Sequence, residues 1–278
     1  MPENQARVVA AAMQKGGVGK TTSIINLARA AAVKGLKTLV VDLDPQANTT
    51  DALSVETLSP TSVSIADTIV PEGAISIEDV IVDTIWDRTW LAPVTNENTL
   101  ITAQNRIGAA QHGREYRLRE ALAPVIADFD LILIDNAPAL GYLLVNALAA
   151  HDDEQVLVVM EADRWSTQGL ALLRDTVEQV RSYNNKSLAW SGVLISKWRG
   201  TSDERDKLGD IAGHFPDAEV WASAEDTSKV VPLWNKIKTE INAGVGLDES
   251  KDARLRVLAG EVYGWAIDRI MARSEVTL

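Results

Sequence analysis

The chain has 278 residues, 46% of them hydrophobic and 24% charged, which is enough for a large core in one α/β domain or for two small domains. It contains no cysteine, so a disulfide framework, a thiolate zinc site and an iron–sulfur cluster are excluded. With a net charge of −12 there is no global positive field for nucleic acid, and any such contact must come from a local basic patch.

In chain order, residues 8–13 (VVAAAM) read as a buried strand and 22–33 as a helix of small and apolar residues. A second strand spans 37–43 (KTLVVDL), and Ser/Thr/Pro density at 59–64 places a loop before short helices in the less legible stretch 51–88. Helical patterns at 114–127, 140–150 and 167–182 alternate with the apolar runs LILID (131–135), QVLVVM (155–160) and LAWSGVLIS (188–196). Residues 244–252 (GVGLDESKD) read as a loop before a last helix over 253–272. Continuous rather than alternating apolar runs imply a sheet covered on both faces. The expectation is one domain over 1–278, a doubly wound, mostly parallel sheet flanked by helices on both faces. The start lacks a secretory pattern and no run reaches the roughly 18 apolar residues needed to span a bilayer, so a cytoplasmic protein without a stable membrane anchor is expected. About seven residues precede the first strand, so no separate N-terminal DNA-reading domain is expected. His112, His151 and His214 are scattered without ligand spacing.

The strongest motif is Lys15-Gly16-Gly17-Val18-Gly19-Lys20-Thr21-Thr22, directly after a strand and directly before a helix. Glycines let the backbone curl so that successive N–H groups face one anion, and the helix N-terminus adds a favourable dipole. Lys20 then sits on the β- and γ-phosphates and the Thr21 hydroxyl on Mg²⁺. The common phosphate-loop pattern wants glycine at position 14, where this chain has Gln14. Two acidic stations follow at strand ends. One is Asp42-Leu43-Asp44-Pro45-Gln46, whose proline ends the strand. The other is Asp135, closing the LILID run, where a carboxylate can hold a magnesium-bound water.

A lysine at position 15, where the usual motif takes any residue, resembles the deviant Walker A sequence of the ParA/MinD family of ATPases. The segment from Asp42 to Asn48, the helix before LILID (Arg117, Leu118, Ala121, Leu122) and residues 140–148 resemble the same family, as do WSTQGL (165–170) and Gly192 to Ile195 at lower specificity. The likeness covers roughly 9–273 and is nearest to the short, Soj-like partition ATPases. It implies a P-loop NTPase fold, ATP and Mg²⁺, with nucleotide contacts from Lys15, Gly16, Gly17, Val18, Gly19, Lys20, Thr21 and Thr22. It further implies catalytic roles for Lys15, Lys20 and Asp44, and a metal shell from Thr21, Asp42 and Asp135. Each protomer of an ATP-bound homodimer would donate Lys15 to its partner's nucleotide, the logic of an arginine finger. Two departures stand out: Asn136-Ala137-Pro138-Ala139 keeps only one of the family's two prolines, and Ala222-Ser223 stands where relatives show Pro-Arg.

For such a protein the expected partners are a centromere-binding, ParB-like adaptor and non-specific DNA, with nucleoid association. DNA contacts are expected from Lys197 and Arg199, with Arg205 and Lys207 nearby, and from Lys229, Lys236 and Lys238, although Asp226 stands where a basic residue would match. Cysteine-dependent relatives are excluded by composition, and the tyrosine kinases by the lack of a C-terminal tyrosine cluster. A MinD-like or other cargo-positioning ATPase, and a nucleotide-gated module with negligible hydrolysis, stay open. The apolar face of the last helix (Leu255, Leu258, Val262, Trp265, Ile270) is expected to pack on the sheet rather than on a membrane.

Overall fold

The computed structural model describes residues 6–71, 75–215 and 219–272. Its sheet has seven strands: β1 (Arg7–Ala12), β2 (Thr38–Leu43), β3 (Val82–Asp83), β4 (Thr89–Ala92), β5 (Leu131–Asn136), β6 (Gln155–Met160) and β7 (Ala189–Ile195). Their order is β3-β4-β2-β5-β1-β6-β7. All neighbours run parallel except the two-residue edge strand β3, which pairs antiparallel with β4. Successive side chains of a strand point to opposite faces, and here both faces are buried. Val8, Ala10 and Ala12 of β1 join one core cluster while Val9 and Ala11 join the other, and the same division splits β2, β5 and β6. That is why these strands are apolar without interruption, and it bears out the doubly wound, mostly parallel sheet.

The first face is covered by α3 (Ile65–Ile69), α4 (Glu97–Ala109), α5 (Arg117–Leu122), α6 (Tyr142–Leu148), α7 (Arg164–Tyr183) and α8 (Ser202–His214). The second is covered by α1 (Lys20–Val33), α9 (Asn235–Asn242), α10 (Ala253–Leu258) and α11 (Trp265–Ala272). A short α2 (Asn48–Leu53) follows β2, and a π-helical turn over Ala259–Gly264 joins α10 to α11. The expected helix over 114–127 shrinks to α5, because Pro124 cannot continue the hydrogen-bond ladder. Helix α4 was not expected. Its buried positions Leu100, Ala103 and Ile107 make a narrow stripe, and it begins where the Asn96 side chain accepts the Asn98 N–H at 2.9 Å.

The last helix behaves as expected: Leu255, Leu258, Val262 and Ile270 are buried and Trp265 packs against the same cluster. The terminal residues 273–278 and the side chains of 164–168, which include most of WSTQGL, lie outside the described residues. Near the end of the sheet Gly192 lets the Trp221 indole lie against the strand. A Cβ there would stand 2.2 Å from the Trp221 Nε1.

Candidate functional site

The carboxyl ends of β1, β2, β5, β6 and β7 converge on the loop between β1 and α1, the usual place for a ligand in an open parallel sheet. Gly17 (φ +72°) and Gly19 (φ +91°) take left-handed conformations that only glycine adopts without strain, and α1 starts at once with Lys20. A Cβ on Gly16 would stand 3.7 Å from Pro138 and one on Gly19 3.7 Å from the Ser196 side chain, so both neighbours line the loop at ordinary contact distance. Gly169 lies beneath it, where a Cβ would meet the Met13 methyl at 3.2 Å. Ser196 Oγ donates to the Val18 carbonyl at 2.5 Å and to the Met160 carbonyl at 3.1 Å, tying the loop to β6 and β7.

The two loop lysines point to different places. Lys20 is 6% exposed and its Nζ donates to the Met13 carbonyl at 3.2 Å, inside the loop. Burial lowers its pKa, opposed by the charges of Asp135 and Asp44. Lys15 is instead part-exposed and pairs with Asp163 at 2.5 Å and Glu161 at 3.9 Å.

The acidic stations meet across the sheet, since Asp42 and Asp135 are register partners on β2 and β5 and both are fully buried. Asp135 Oδ2 accepts the hydroxyls of Thr21 and Thr49, each at 2.7 Å, while its Oδ1 has no hydrogen-bond partner. Both oxygens of Asp42 are occupied: Oδ1 accepts the Asp44 N–H at 3.0 Å, and Oδ2 accepts the Thr50 N–H at 2.9 Å and hydroxyl at 2.8 Å. Asp42 therefore shapes the turn that carries Asp44, which is 8% exposed and accepts the Gln46 N–H at 3.0 Å. Burial, then the charge of Asp135, pushes Asp42 up to about 7, and burial also raises Asp135. Two like charges in a dry site call for a cation. Among the described residues no group of three or more His, Cys, Asp or Glu gathers around one point. Magnesium beside a polyphosphate needs only one or two carboxylates, because phosphate oxygens and water fill the rest. The orphaned Asp135 oxygen beside the Thr21 hydroxyl fits that demand.

Thr49, Thr50, Ser196, Glu161 and Asp163 escaped the sequence reading. The threonines follow the recognised Asp42 to Asn48 segment directly, and hydroxyls so placed were the available signal. Asn136 donates to the Ala11 carbonyl at 3.0 Å and braces β5 against β1. The two basic groups proposed for DNA lie apart in character. Lys197 and Arg199 lean on Glu161 at 3.4 and 3.9 Å beside the phosphate loop. Lys229 donates to Glu261, Lys236 pairs with Asp252 at 3.4 Å, and Lys238 is exposed.

A family model described as an AAA domain matches residues 6–190. The chromosome partitioning protein ParA of Myxococcus xanthus is 32% identical over 210 residues, covering 75% of this chain and 71% of that protein. This chain belongs to the ParA/MinD family of P-loop ATPases. An uncharacterized protein of Mycobacterium tuberculosis is 38% identical over 213 residues, 76% of this chain, and the chain spans 65% of that relative's length. Among solved structures, the cobyrinic acid a,c-diamide synthase of Mycobacterium smegmatis with bound ADP and magnesium is 33% identical, with TM-score 0.68 over 75% of this chain and 82% of that one. The ATP complex of a Cyanothece McdA variant, 19% identical, shares the fold over 99% of this chain and 100% of its own, at TM-score 0.83. Among the described residues of this family member no helix is long and apolar enough to cross a membrane.

Proposed function

We propose that this chain is a ParA-type ATPase that binds ATP with Mg²⁺, closes with a second copy into a sandwich dimer around the nucleotide, and positions DNA. The division between the two loop lysines carries the reading. Lys20 is buried in its own loop as a phosphate ligand must be, whereas Lys15 is part-exposed, held by Asp163 and Glu161, and available to a partner's nucleotide once those pairs open. Thr21 and Asp135 would hold Mg²⁺, which screens the phosphates and stabilises the charge that develops as the terminal phosphoryl leaves. Asp44, fixed by the Asp42 turn, orients the attacking water. Lys15 supplies positive charge in trans, so dimerisation and hydrolysis depend on each other.

Hydrolysis is slow until a ParB-like adaptor on centromeric DNA completes the arrangement. Burial of the apolar face of the last helix supports DNA as cargo over a membrane surface. In an acidic chain the DNA contact falls to Lys229, Lys236 and Lys238, whose charge doubles on dimerisation, and it places the protein on the nucleoid. Sedimentation with Mg²⁺ and ATP tests the lysine assignment. Lys15→Ala is expected to bind ATP and stay monomeric, and Lys20→Ala to lose ATP binding altogether. A Lys15→Ala protein that dimerises like the unmodified chain refutes the trans role.

A further inference from the structure

We propose that Lys197 is a further phosphate-binding lysine of this site, acting in cis, and that Glu161 is the internal carboxylate that occupies it before nucleotide arrives. The inference rests on the reading of residues 15–22 as the nucleotide loop. Lys197 follows β7 in a left-handed conformation (φ +52°), a costly one for a lysine. The neighbouring residues pin it there. The Ser196 N–H donates to the Met160 carbonyl at 2.8 Å, the Trp198 N–H to the Val231 carbonyl at 3.0 Å, and Ser196 Oγ to the Val18 carbonyl of the phosphate loop.

The consequence is that Lys197 folds over the loop instead of outward. Its Nζ lies 4.0 Å from where a Cβ would stand on Gly17, a position kept open by the glycine. Glu161 directly follows β6 and its side chain is only 13% exposed, yet it faces three cations: Lys197 at 3.4 Å, Lys15 at 3.9 Å and Arg199 at 3.9 Å. Asp163 on Lys15 and Glu204 on Arg199 complete a cluster of three positive and three negative groups. Such a cluster is neutral on its own. A polyphosphate entering the loop competes with Glu161 for the nearest mobile ammonium, and the flexible four-carbon stem of Lys197 lets its charge turn from carboxylate to phosphate without moving the backbone. This placement takes Lys197 out of the DNA strip and gives it to the nucleotide.

The test is calorimetric titration of Mg²⁺–ATP and of tripolyphosphate, which lacks the nucleoside, into the full chain. Lys197→Met should weaken both ligands about tenfold, the loss of one charge-assisted contact. Lys197→Arg should restore most of the affinity, and Glu161→Gln should tighten both ligands several-fold by removing the competitor. Unchanged affinities in Lys197→Met overturn the proposal, and so does a loss confined to ATP, which would put Lys197 on the nucleoside. If Lys197→Met does not fold, Glu161→Gln decides alone: tighter binding supports the proposal and unchanged binding overturns it. Lys20→Ala separates the layers. Retained affinity there removes the loop assignment itself, whereas its loss alongside a normal Lys197→Met removes only this inference.

Discussion

Replacing Asp135 by Asn should make the nucleotide-free protein more stable while abolishing Mg²⁺-dependent ATP binding. The amide oxygen can take the place of Oδ2 and keep both threonine hydroxyls, and the amide nitrogen falls where Oδ1 has no partner. What is removed is one buried charge facing Asp42. Asp42 is raised from 3.8 to about 7, a shift worth roughly 4 kcal/mol at most, with burial its larger cause and Asp135 the second. Relief of that repulsion is on the order of 1 kcal/mol, or a rise of roughly 2–4 °C in Tm for a domain of this size.

The sign of the pH dependence follows from the direction of the shift. A carboxyl whose folded pKa is raised contributes its stability fully below its unfolded value and loses it as pH rises toward the folded one. Metal-free protein should thus lose stability between about pH 4 and pH 7, and Asp135→Asn should flatten that fall. Thermal melts across pH with a chelator present, paired with ATP titrations with and without Mg²⁺, measure both effects. A variant less stable than the unmodified chain at pH 8, or one that binds Mg²⁺–ATP normally, would refute the account of this carboxylate pair.

Asp44→Ala should bind ATP, lose turnover and accumulate as the ATP dimer, seen by sedimentation together with phosphate release. Gly192→Ala should cost about 3 kcal/mol or more in denaturant unfolding, because its methyl would meet the Trp221 indole; the loss should shrink when Trp221 is also replaced by Leu. Charge reversal of Lys229, Lys236 and Lys238 to Glu should abolish salt-sensitive, sequence-indifferent DNA binding by the ATP dimer in a gel shift while dimerisation survives. A dimer of the unmodified chain that shifts no duplex at low salt moves the cargo away from DNA.

Much of this protein is legible from consecutive residues. The phosphate loop is local, since the left-handed turns at Gly17 and Gly19 and the abrupt start of α1 depend on neighbours in sequence. The buried strands announce themselves by unbroken apolar runs, and Asp42, Asp44 and Asp135 by standing at strand ends. Elements whose stability is not local were missed: α4 has a narrow stripe of three buried residues, and β3 is two residues that exist only against β4. Side-chain destinations belong wholly to the tertiary structure. Sequence places Lys15 and Lys20 five residues apart in one motif, but only the tertiary structure brings Asp163, just past the end of β6, onto Lys15 while Lys20 is buried. Thr49 joins Thr21 on Asp135 because α2 returns to the end of β5, and Lys197 comes over Gly17 because β7 ends beside the loop that β1 begins. Those meetings join residues from 28 to 180 positions apart, and a chain reveals them only when burying both faces of the sheet leaves its strand ends nowhere else to converge.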